Sequence, residues 1–404
     1  MNDPETRYRV KHVDERVTIS ASVAIEAITI AGGTEATWRA WLNDSPLPSP
    51  YDSAGGANYH HLREKTHAAI DEMLRNRALP RKSTGLILAT TKGDIDAEVQ
   101  WIRAFDQVND AGHSRSPPTL GNEASTFAQE LKLAGPVWAA STACSSGLVA
   151  LIEAAMCLLD GDAQCMVAAG LDVAGDFVRD GFGALKALSP TLCRPFDRNR
   201  DGLALGSAGA ALLLGTLDAV QRPVCVLSGW GVASDAVHLT APDRDAGGLI
   251  RAMRQALTMA RLAPNDIDVL VAHGTGTRYN DAMEAVAIRA VFHGPSGEGE
   301  QRHTGRIGER RGPMVTALKG LIGHTLGASG VIETALAACI FAEQRVPPIT
   351  NLIAPEWDDL DLVTGTPRRA ARPIRHIMKV ASGFGGLNAA VILSAASGGG
   401  EASP

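Results

Sequence analysis

Residues 145–159, SSGLVALIEAAMCLL, have the length of a helix and are apolar on nearly every face. A helix of this kind belongs inside a protein, because any exposed side would place apolar groups in water. With 404 residues, 45% of them hydrophobic, the chain can enclose it, since proteins of this size bury roughly three quarters of their unfolded surface. The segment includes Glu153 and is too short to cross a bilayer. We therefore expect a core helix and no membrane insertion.

A second segment repeats the same pattern further along the chain. Residues 146–157, SGLVALIEAAMC, resemble residues 329–339, SGVIETALAAC, in composition and phase. Each copy follows a predicted strand and a turn of small residues. Two similar halves stacked as a pseudo-dimer would produce this repeat, and a chance match between two small-residue helices is the alternative.

Short β-like runs alternate with longer helical runs, which predicts an α/β fold with mostly parallel or mixed sheets. The predicted strands cover residues 18–28, 84–89, 137–141, 165–171, 224–228, 267–272, 314–317, 377–381 and 387–393. The predicted helices cover residues 61–77, 145–159, 247–262, 282–291 and 330–343. Residues 293–312, rich in glycine and charge, predict an exposed mobile loop, and residues 397–404 a disordered tail.

Charge and cysteine usage narrow the range of partners. The net charge of −6 offers no general basic field for nucleic acid or an anionic membrane. The six cysteines are scattered and include no C-x-x-C pair, which indicates neither a disulfide scaffold nor a zinc ribbon. Residues 1–16 are charged throughout and lack the apolar core of a signal peptide. We expect a cytoplasmic protein.

Cys144 lies where a predicted strand meets the apolar helix, in the stretch VWAASTACSSGL at residues 137–148. This places it at a helix N-terminus, where unpaired N–H groups and the helix dipole are expected to stabilise a thiolate. Small neighbours leave room for a substrate to reach the sulfur. The alternative for any single cysteine is a buried, inert thiol, and we predict that role for Cys157, Cys165 and Cys339.

Three further turns combine glycines with residues able to do chemistry. The stretch HGTGT begins at His273 after an apolar strand, and KGLIGH carries Lys319 and His324 before a helix. The stretch SGFGGLN surrounds Phe384 with glycines, which suits close approach of a main chain to a ligand. Each turn read singly could be a loop glycine cluster, and HGTGT matches neither common phosphate-loop motif.

Taken together and in this order, T-A-C-S-S-G, H-G-T-G-T, K-x-x-x-G-H and G-F-G-G resemble the β-ketoacyl-acyl carrier protein synthases. These are condensing enzymes of the thiolase fold, and the resemblance is to their elongating Cys-His-His branch over residues 80–395. It implies an α/β, thiolase-like, five-layered αβαβα fold built from two similar halves. We place the first half at residues 1–225, with the cysteine, and the second at 226–396, with both histidines.

The resemblance also implies a reaction, a decarboxylative Claisen condensation. Cys144 would take an acyl group from a carrier-protein thioester. His273 and His324 would then hold the thioester oxygen of malonyl carrier protein and stabilise the enolate formed as carbon dioxide leaves. Backbone N–H groups of Cys144 and Phe384 would bind the tetrahedral oxyanion.

Supporting roles follow from the same resemblance. Lys319 would orient the site, and Glu284 would join it in a buried polar network. Thr275 and Thr277 would hydrogen-bond the pantetheine arm, and Phe384 would act as a gate. No metal or diffusible cofactor is implied, because phosphopantetheine arrives on the acyl carrier protein. A homodimer is expected, with a heterodimer containing a ketosynthase-like partner as the other possibility.

The chain departs from the family pattern near the pocket. Ser207 stands where an acid is usual, Arg278 where proline is frequent, and Ser382 and Leu387 where Phe and Thr are frequent. These departures favour a specialised fatty acid or polyketide/polyene pathway. Two arginine clusters are candidates for docking an acidic carrier protein, with a solvated charge run as the alternative. They are Arg302, Arg306, Arg310 and Arg311, and Arg368, Arg369, Arg372 and Arg375.

Other functions on this fold leave different signatures. A non-condensing chain-length partner subunit typically lacks the cysteine that is present here as Cys144. A Cys-His hydrolase needs a base oriented by an acid, a thiolase needs a second cysteine near the last glycine-rich loop, and His324 disfavours the Cys-His-Asn branch. The condensing activity is therefore preferred, and the chain-length subunit remains the alternative.

Overall fold

The computed structural model describes residues 23–31, 59–77, 79–107, 120–216, 223–293 and 312–396. Within these residues, twelve strands form one ten-stranded sheet and one two-stranded ribbon. The strands are β1 Val23–Ala31, β2 Thr84–Ala89, β3 Val137–Ala140, β4 Cys165–Asp172, β5 Ala208–Thr216, β6 Cys225–Ser234, β7 Val269–Val271, β8 Met314–Thr316, β9 Arg345–Val346, β10 Arg368–Arg369, β11 His376–Ser382 and β12 Leu387–Ser394. The α-helices are α1 Tyr59–Asn76, α2 Ile95–Gln107, α3 Leu120–Glu130, α4 Ser146–Asp160, α5 Asp176–Ala184, α6 Gly247–Ala260, α7 Arg278–Phe292, α8 Lys319–Ile322 and α9 Ser329–Glu343.

The strand order of the large sheet shows that the chain consists of two similar halves. The order is β3-β2-β4-β5-β1-β6-β12-β11-β7-β8. From either edge inward, the pairings run parallel, parallel, antiparallel, antiparallel. The halves meet where β1 pairs with β6 through residues 23–25 and 225–227. The predicted division at 225/226 falls at the first residue of β6.

Helices form three layers around the two halves of the sheet, which gives the predicted five-layered αβαβα arrangement. The two apolar helices α4 and α9 occupy the central layer, where α4 contacts β2 and β4 and α9 contacts β5 and β11. Helices α1 and α3 cover the outer face of the first half, and α6, with α7 beside it, covers the second. Side chains alternate along β2, since Leu86 and Leu88 pack outward while Ile87 and Ala89 pack against the central layer.

The repeated Ser-Gly start of α4 and α9 is the point where these two helices cross. A Cβ atom built on Gly147 would lie 2.6 Å from the backbone nitrogen of Val331. One built on Gly330 would lie 2.3 Å from the backbone nitrogen of Leu148. Only glycine permits main chains to approach this closely. The repeat in the sequence therefore reflects two similar halves packed against each other, and the pseudo-dimer interpretation is confirmed.

Two segments of the described residues, Ala143–Asp160 and Leu326–Glu343, have the length and the apolar composition of a membrane-spanning helix. Their windows are 72% and 83% buried inside the protein, because they contain the central helices α4 and α9. Their hydropathy is accounted for by burial in the core, as expected for the first of them from its uniform apolar surface.

Several elements differ from the prediction. Strand β1 extends to Ala31, beyond the predicted end at residue 28, and residues 18–22 lie outside the described residues, as do 294–311 and 397–404. The elements absent from the prediction are helices α2, α3, α5 and α8 and strands β5, β9 and β10. Strand β5, AGAALLLGT, is rich in alanine and glycine, which have low β propensity, and its pairing with β1 and β4 overrides that preference.

Candidate active site

One cavity of about 520 Å³ brings the predicted residues of both halves together. Cys144 reaches it from the first half, and His273 and His324 reach it from the second. Thr275, Thr277 and Phe384 also line it. Lys319 and Glu284 are buried behind its wall. Of the six cysteines, all of which are buried, Cys144 is the one among the lining residues.

Cys144 sits in a sharp turn between β3 and α4. Ala143, immediately before it, has a φ of 51°, in the left-handed region that costs an alanine about 1–2 kcal/mol. The turn aims the thiol at the cavity, and the backbone N–H groups of Phe384 and Cys144 itself hydrogen-bond the sulfur. These are the two groups predicted to bind the oxyanion, and the structure brings both to the reacting atom.

The thiol is not the stabilised thiolate that its place before a helix predicted. Burial raises the pKa of Cys144 to about 11, and the charge of Lys319 and the two backbone N–H groups offset only part of that effect. Desolvation disfavours the charged sulfur more strongly than the helix terminus favours it. The prediction of a lowered pKa is therefore wrong, and Cys144 is a protonated thiol at neutral pH.

His324 is oriented by the turn that follows it. Its Nδ1 accepts a hydrogen bond of 3.1 Å from the backbone N–H of Leu326, and the hydroxyl of Ser329 lies 3.3 Å away. Leu326 has a φ of 54°. An Nδ1 that accepts from an N–H group leaves the ring proton on Nε2. Burial and the nearby charges of Lys319 and Lys379 hold the pKa of His324 well below 6.5, so the ring is neutral.

His273 is arranged in the same way by a different partner. Its Nδ1 lies 3.2 Å from Nζ of Lys319, which has hydrogens to donate and no acceptor lone pair when charged. The ring proton therefore also resides on Nε2. Burial, followed by the charge of Lys319, holds the pKa of His273 well below 6.5. The two imidazole rings are 5.4 Å apart and nearly perpendicular, so the site presents two neutral N–H donors.

Lys319 forms its ion pair with Glu333, to which no role was assigned from the sequence. Its Nζ donates to Glu333 over 2.7 Å and to the backbone oxygen of His273 over 2.8 Å. Glu284 instead accepts from the backbone N–H groups of His273 and Gly274, at 2.6 and 2.7 Å. Glu284 and Lys319 are therefore linked through the main chain of His273, which each of them hydrogen-bonds, and not by a direct contact. The signal for Glu333 in the sequence was an acid surrounded by small and apolar residues within helix α9.

Two further acids hold the loops of the site in place. Asp281 accepts from the backbone N–H groups of Thr275 and Gly276, at 3.1 and 3.2 Å, and so fixes the HGTGT turn. Asp172, at the end of β4, accepts from the backbone N–H groups of Thr91 and Gly327, both at 2.8 Å. It therefore links loops of the two halves. Neither acid was assigned a role from the sequence.

The cavity entrance carries aromatic and hydroxyl groups. The hydroxyls of Thr275 and Thr277 are 2.8 Å apart. Phe384 is 39% exposed, and its ring stacks 5.6 Å from that of Phe182, which in turn lies 6.5 Å from His324. The two glycines after Phe384 have φ of 84° and 79°, which explains why this loop requires glycine. Phe182 was not identified from the sequence.

Of the two predicted arginine clusters, the second lies within the described residues, and none of its members lines the cavity. Arg302, Arg306, Arg310 and Arg311 lie outside the described residues. Arg368 pairs with Asp361 over 2.9 Å, and Arg372 pairs with Asp268 over 3.2 Å. The basic side chains that line the cavity are Lys186 and Arg278. Among the described residues, no group of three or more His, Cys, Asp or Glu side chains is placed to hold a metal ion.

Comparison with known proteins now identifies the family. Residues 60–219 match the model of the beta-ketoacyl synthase N-terminal domain, and residues 224–353 match that of the beta-ketoacyl synthase C-terminal domain. These matches cover well over half of the chain. The chain belongs to the β-ketoacyl synthase family, as the four motifs predicted.

Individual relatives support this assignment. The chain is 36% identical to "Putative polyketide beta-ketoacyl synthase 1" of Streptomyces halstedii, over 70% of this chain and 68% of the relative. It is 31% identical to a protein of the same name from Streptomyces cyaneus, over 98% of this chain and 85% of the relative. Among solved structures, a ketosynthase in complex with its chain length factor from Xenorhabdus doucetiae is 26% identical and covers 93% of this chain and 98% of that one, with a TM-score of 0.72.

Proposed function

We propose that this protein catalyses the decarboxylative condensation of an acyl-enzyme thioester with malonyl-acyl carrier protein, which yields β-ketoacyl-acyl carrier protein. One observation carries the proposal. A thiol contacted by two backbone N–H groups shares a cavity with two neutral imidazoles whose protons reside on Nε2. A hydrolase would need one histidine as a base, whereas a pair of neutral donors suits the stabilisation of an enolate.

In the first step, Cys144 receives the acyl group. Its sulfur attacks the carbonyl carbon of the incoming thioester, and the N–H groups of Cys144 and Phe384 bind the resulting oxyanion. The carbon–sulfur bond to the pantetheine thiol then breaks. The proton lost by Cys144 leaves with that thiol, so the exchange is balanced. Small residues on either side of Cys144 give the carbonyl access to the sulfur.

In the second step, malonyl carrier protein binds and His273 and His324 donate their Nε2 protons as hydrogen bonds to its thioester oxygen. The bond to the carboxylate breaks, carbon dioxide leaves, and the electron pair forms an enolate stabilised by the two donors. The enolate carbon attacks the acyl carbon on Cys144, the carbon–sulfur bond breaks, and the cysteine sulfur departs as a thiolate. The thiolate takes up one proton from water, which restores the thiol and balances the proton consumed when carbon dioxide is lost. Loss of one such donor typically slows a reaction roughly a hundredfold to a thousandfold.

The partner in both steps is an acyl carrier protein, whose phosphopantetheine arm supplies the thiol. Thr275 and Thr277 would hydrogen-bond the arm, and Phe384, backed by Phe182, would act as the gate. Lys186 and Arg278 at the cavity are the cations we assign to the approach of an acidic carrier. We further propose a cytoplasmic location.

We extend the proposal to the assembly of the protein and to the pathway in which it acts. We infer a dimer, as a homodimer or as a heterodimer with a ketosynthase-like subunit, and the Xenorhabdus doucetiae structure is a complex of the second kind. The Streptomyces relatives carry polyketide names, which supports a specialised pathway. The alternative function, a non-condensing chain-length subunit, is supported by the same complex but would leave the thiol of Cys144 without a use.

Intact-mass analysis after incubation with a panel of acyl carrier-protein thioesters tests the proposal. An acyl adduct on the wild-type chain should be absent in Cys144→Ala and retained in the control Cys157→Ala, whose thiol is buried away from the cavity. Release of carbon dioxide from malonyl carrier protein should accompany it. A chain that forms no adduct and releases no carbon dioxide would refute the condensing activity and favour the non-condensing subunit.

A further inference from the structure

A second lysine, Lys379, shares the carboxylate of Glu333 with Lys319. It lies within β11, and its side chain is fully buried. Both lysines form ion pairs with this carboxylate. Nζ of Lys379 lies 2.5 Å from Oε2 of Glu333, and Nζ of Lys319 lies 2.7 Å from Oε1. The condensation as derived above does not use Lys379. Its neighbours in β11, Met378 and Val380, are buried apolar residues, so the strand alone does not explain a lysine here.

The other contacts of Lys379 lead to the main chain beside His273. Its Nζ donates to the backbone oxygen of Ala272 over 3.0 Å and to that of Val380 over 2.7 Å. Lys319 binds the next backbone oxygen, that of His273. Lys379 therefore fixes both the residue preceding His273 and the carboxylate that aligns Lys319 with the imidazole. Burying an ammonium group is costly unless it is paired this fully, which argues against a filler role in the core.

The charges around Lys379 come from several elements. Glu333 faces it from α9, Lys319 from α8 and Glu284 from α7, and its charge also acts on His273 and His324. Burial lowers the pKa of Lys379 to about 8, so it still carries a proton at neutral pH. Burial raises the pKa of Glu284 to about 7, which reduces its negative charge there. The two lysines thus share the carboxylate of Glu333 beside the two imidazoles.

We propose that Lys379 is a positioning residue for the decarboxylation step, which anchors Glu333 and the main chain before His273. Its charge adds to burial and to the charge of Lys319 in disfavouring protonation of the two imidazoles. This role rests on the proposed condensing activity. It makes Lys379 a requirement of the histidine-dependent step and not of the transfer of an acyl group to Cys144.

Full-length wild type, Lys379→Met and Lys379→Arg are compared in two assays. Intact mass reports acylation of Cys144, and carbon dioxide release from malonyl carrier protein reports decarboxylation as a function of pH. In Lys379→Met, we expect decarboxylation at neutral pH to fall about tenfold or more while acylation changes less than about twofold. Since the lost cation opposes protonation of the imidazoles, the acid limb of the decarboxylation profile should move to higher pH. Lys379→Arg should restore the limb.

The outcomes separate this role from a structural one and from failure of the proposed function. Equal losses in both assays with an unmoved acid limb would mean that Lys379 only supports the fold, and a Lys379→Met variant like wild type would also overturn the proposal. If Lys379→Met does not fold, Lys379→Gln is used in its place, since the glutamine amide can still donate to the backbone oxygen of Ala272. An unmoved acid limb in Lys379→Gln would likewise overturn the proposal. A wild-type chain that neither acylates nor decarboxylates refutes the condensing activity and this role with it.

Discussion

Replacing Gly330 with alanine tests whether the crossing of α4 and α9 holds the two halves together. The new Cβ would lie 2.3 Å from the backbone nitrogen of Leu148 and 2.6 Å from the carbonyl carbon of Gly147. Both are main-chain atoms of α4, so no side-chain rotation relieves the overlap. Because ordinary contacts between such atoms begin at about 3.5 Å, the two helices must separate by roughly 1 Å at their crossing.

The expected cost follows from this displacement. Overpacking a core costs about 1–3 kcal/mol when side chains can adjust, and here the main chain must move. We expect Gly330→Ala to lower the free energy of unfolding by at least about 3 kcal/mol, although alanine recovers about 1 kcal/mol through its helix propensity. Gly181 in α5 is the matched control, because a Cβ there meets nothing within 4 Å. Gly181→Ala should stabilise the protein by about 0.5–1 kcal/mol.

Urea unfolding followed by circular dichroism, at one protein concentration, measures both variants against wild type. The midpoint should fall for Gly330→Ala and rise slightly for Gly181→Ala. A Gly330→Ala midpoint equal to that of wild type would refute the glycine-on-glycine packing of the central helices. Equal losses in the two variants would point to a general intolerance of alanine for glycine and not to the crossing.

Three further predictions concern the site. His273→Ala and His324→Ala should each slow carbon dioxide release from malonyl carrier protein roughly a hundredfold to a thousandfold and leave acylation of Cys144 in place. Carbon dioxide assays measure the first effect and intact mass measures the second, and loss of acylation would contradict the prediction. Because the pKa of Cys144 is raised to about 11, its alkylation rate should rise about tenfold per pH unit from pH 7 to 10, and a plateau below pH 9 would show a stabilised thiolate. Arg278→Glu should raise the KM for carrier protein. Arg369 is exposed and does not line the cavity, so the control variant Arg369→Glu should leave this KM unchanged. Equal KM values for the two variants would exclude Arg278 as a docking cation.

The arrangement of motifs on strand ends could be predicted because small residues and chemically active ones stand together in the chain. Cys144, His273 and His324 each follow a recognisable apolar strand or precede an apolar helix, so their elements were identifiable. Strand β5 and helix α3 were not, because their residues have weak or mixed propensity and depend on neighbours distant in sequence. For β5, the hydrogen bonds to β1 and β4 stabilise a strand that its own residues only weakly favour.

Electrostatic details of the site could not be predicted from the chain alone. Glu333 and Lys379 each appear as one charge among apolar residues, and nothing local shows that they face each other and Lys319. The prediction of a stabilised thiolate at Cys144 was wrong for a related reason. The helix terminus is visible in the sequence, whereas the burial that raises the pKa of the thiol arises only in the folded protein.

The turn before Cys144 has a counterpart in the other half of the molecule. Counting back from the Ser-Gly pair that opens each central helix, Ala143 corresponds to Leu326 and Cys144 to Gly327, and the φ angles of the first two are 51° and 54°. The second copy has no nucleophile at this place because the residue is a glycine, and its backbone N–H donates to Asp172. Both halves therefore share the left-handed bend, so its presence does not depend on a catalytic residue, and in the first half it places Cys144 at the cavity.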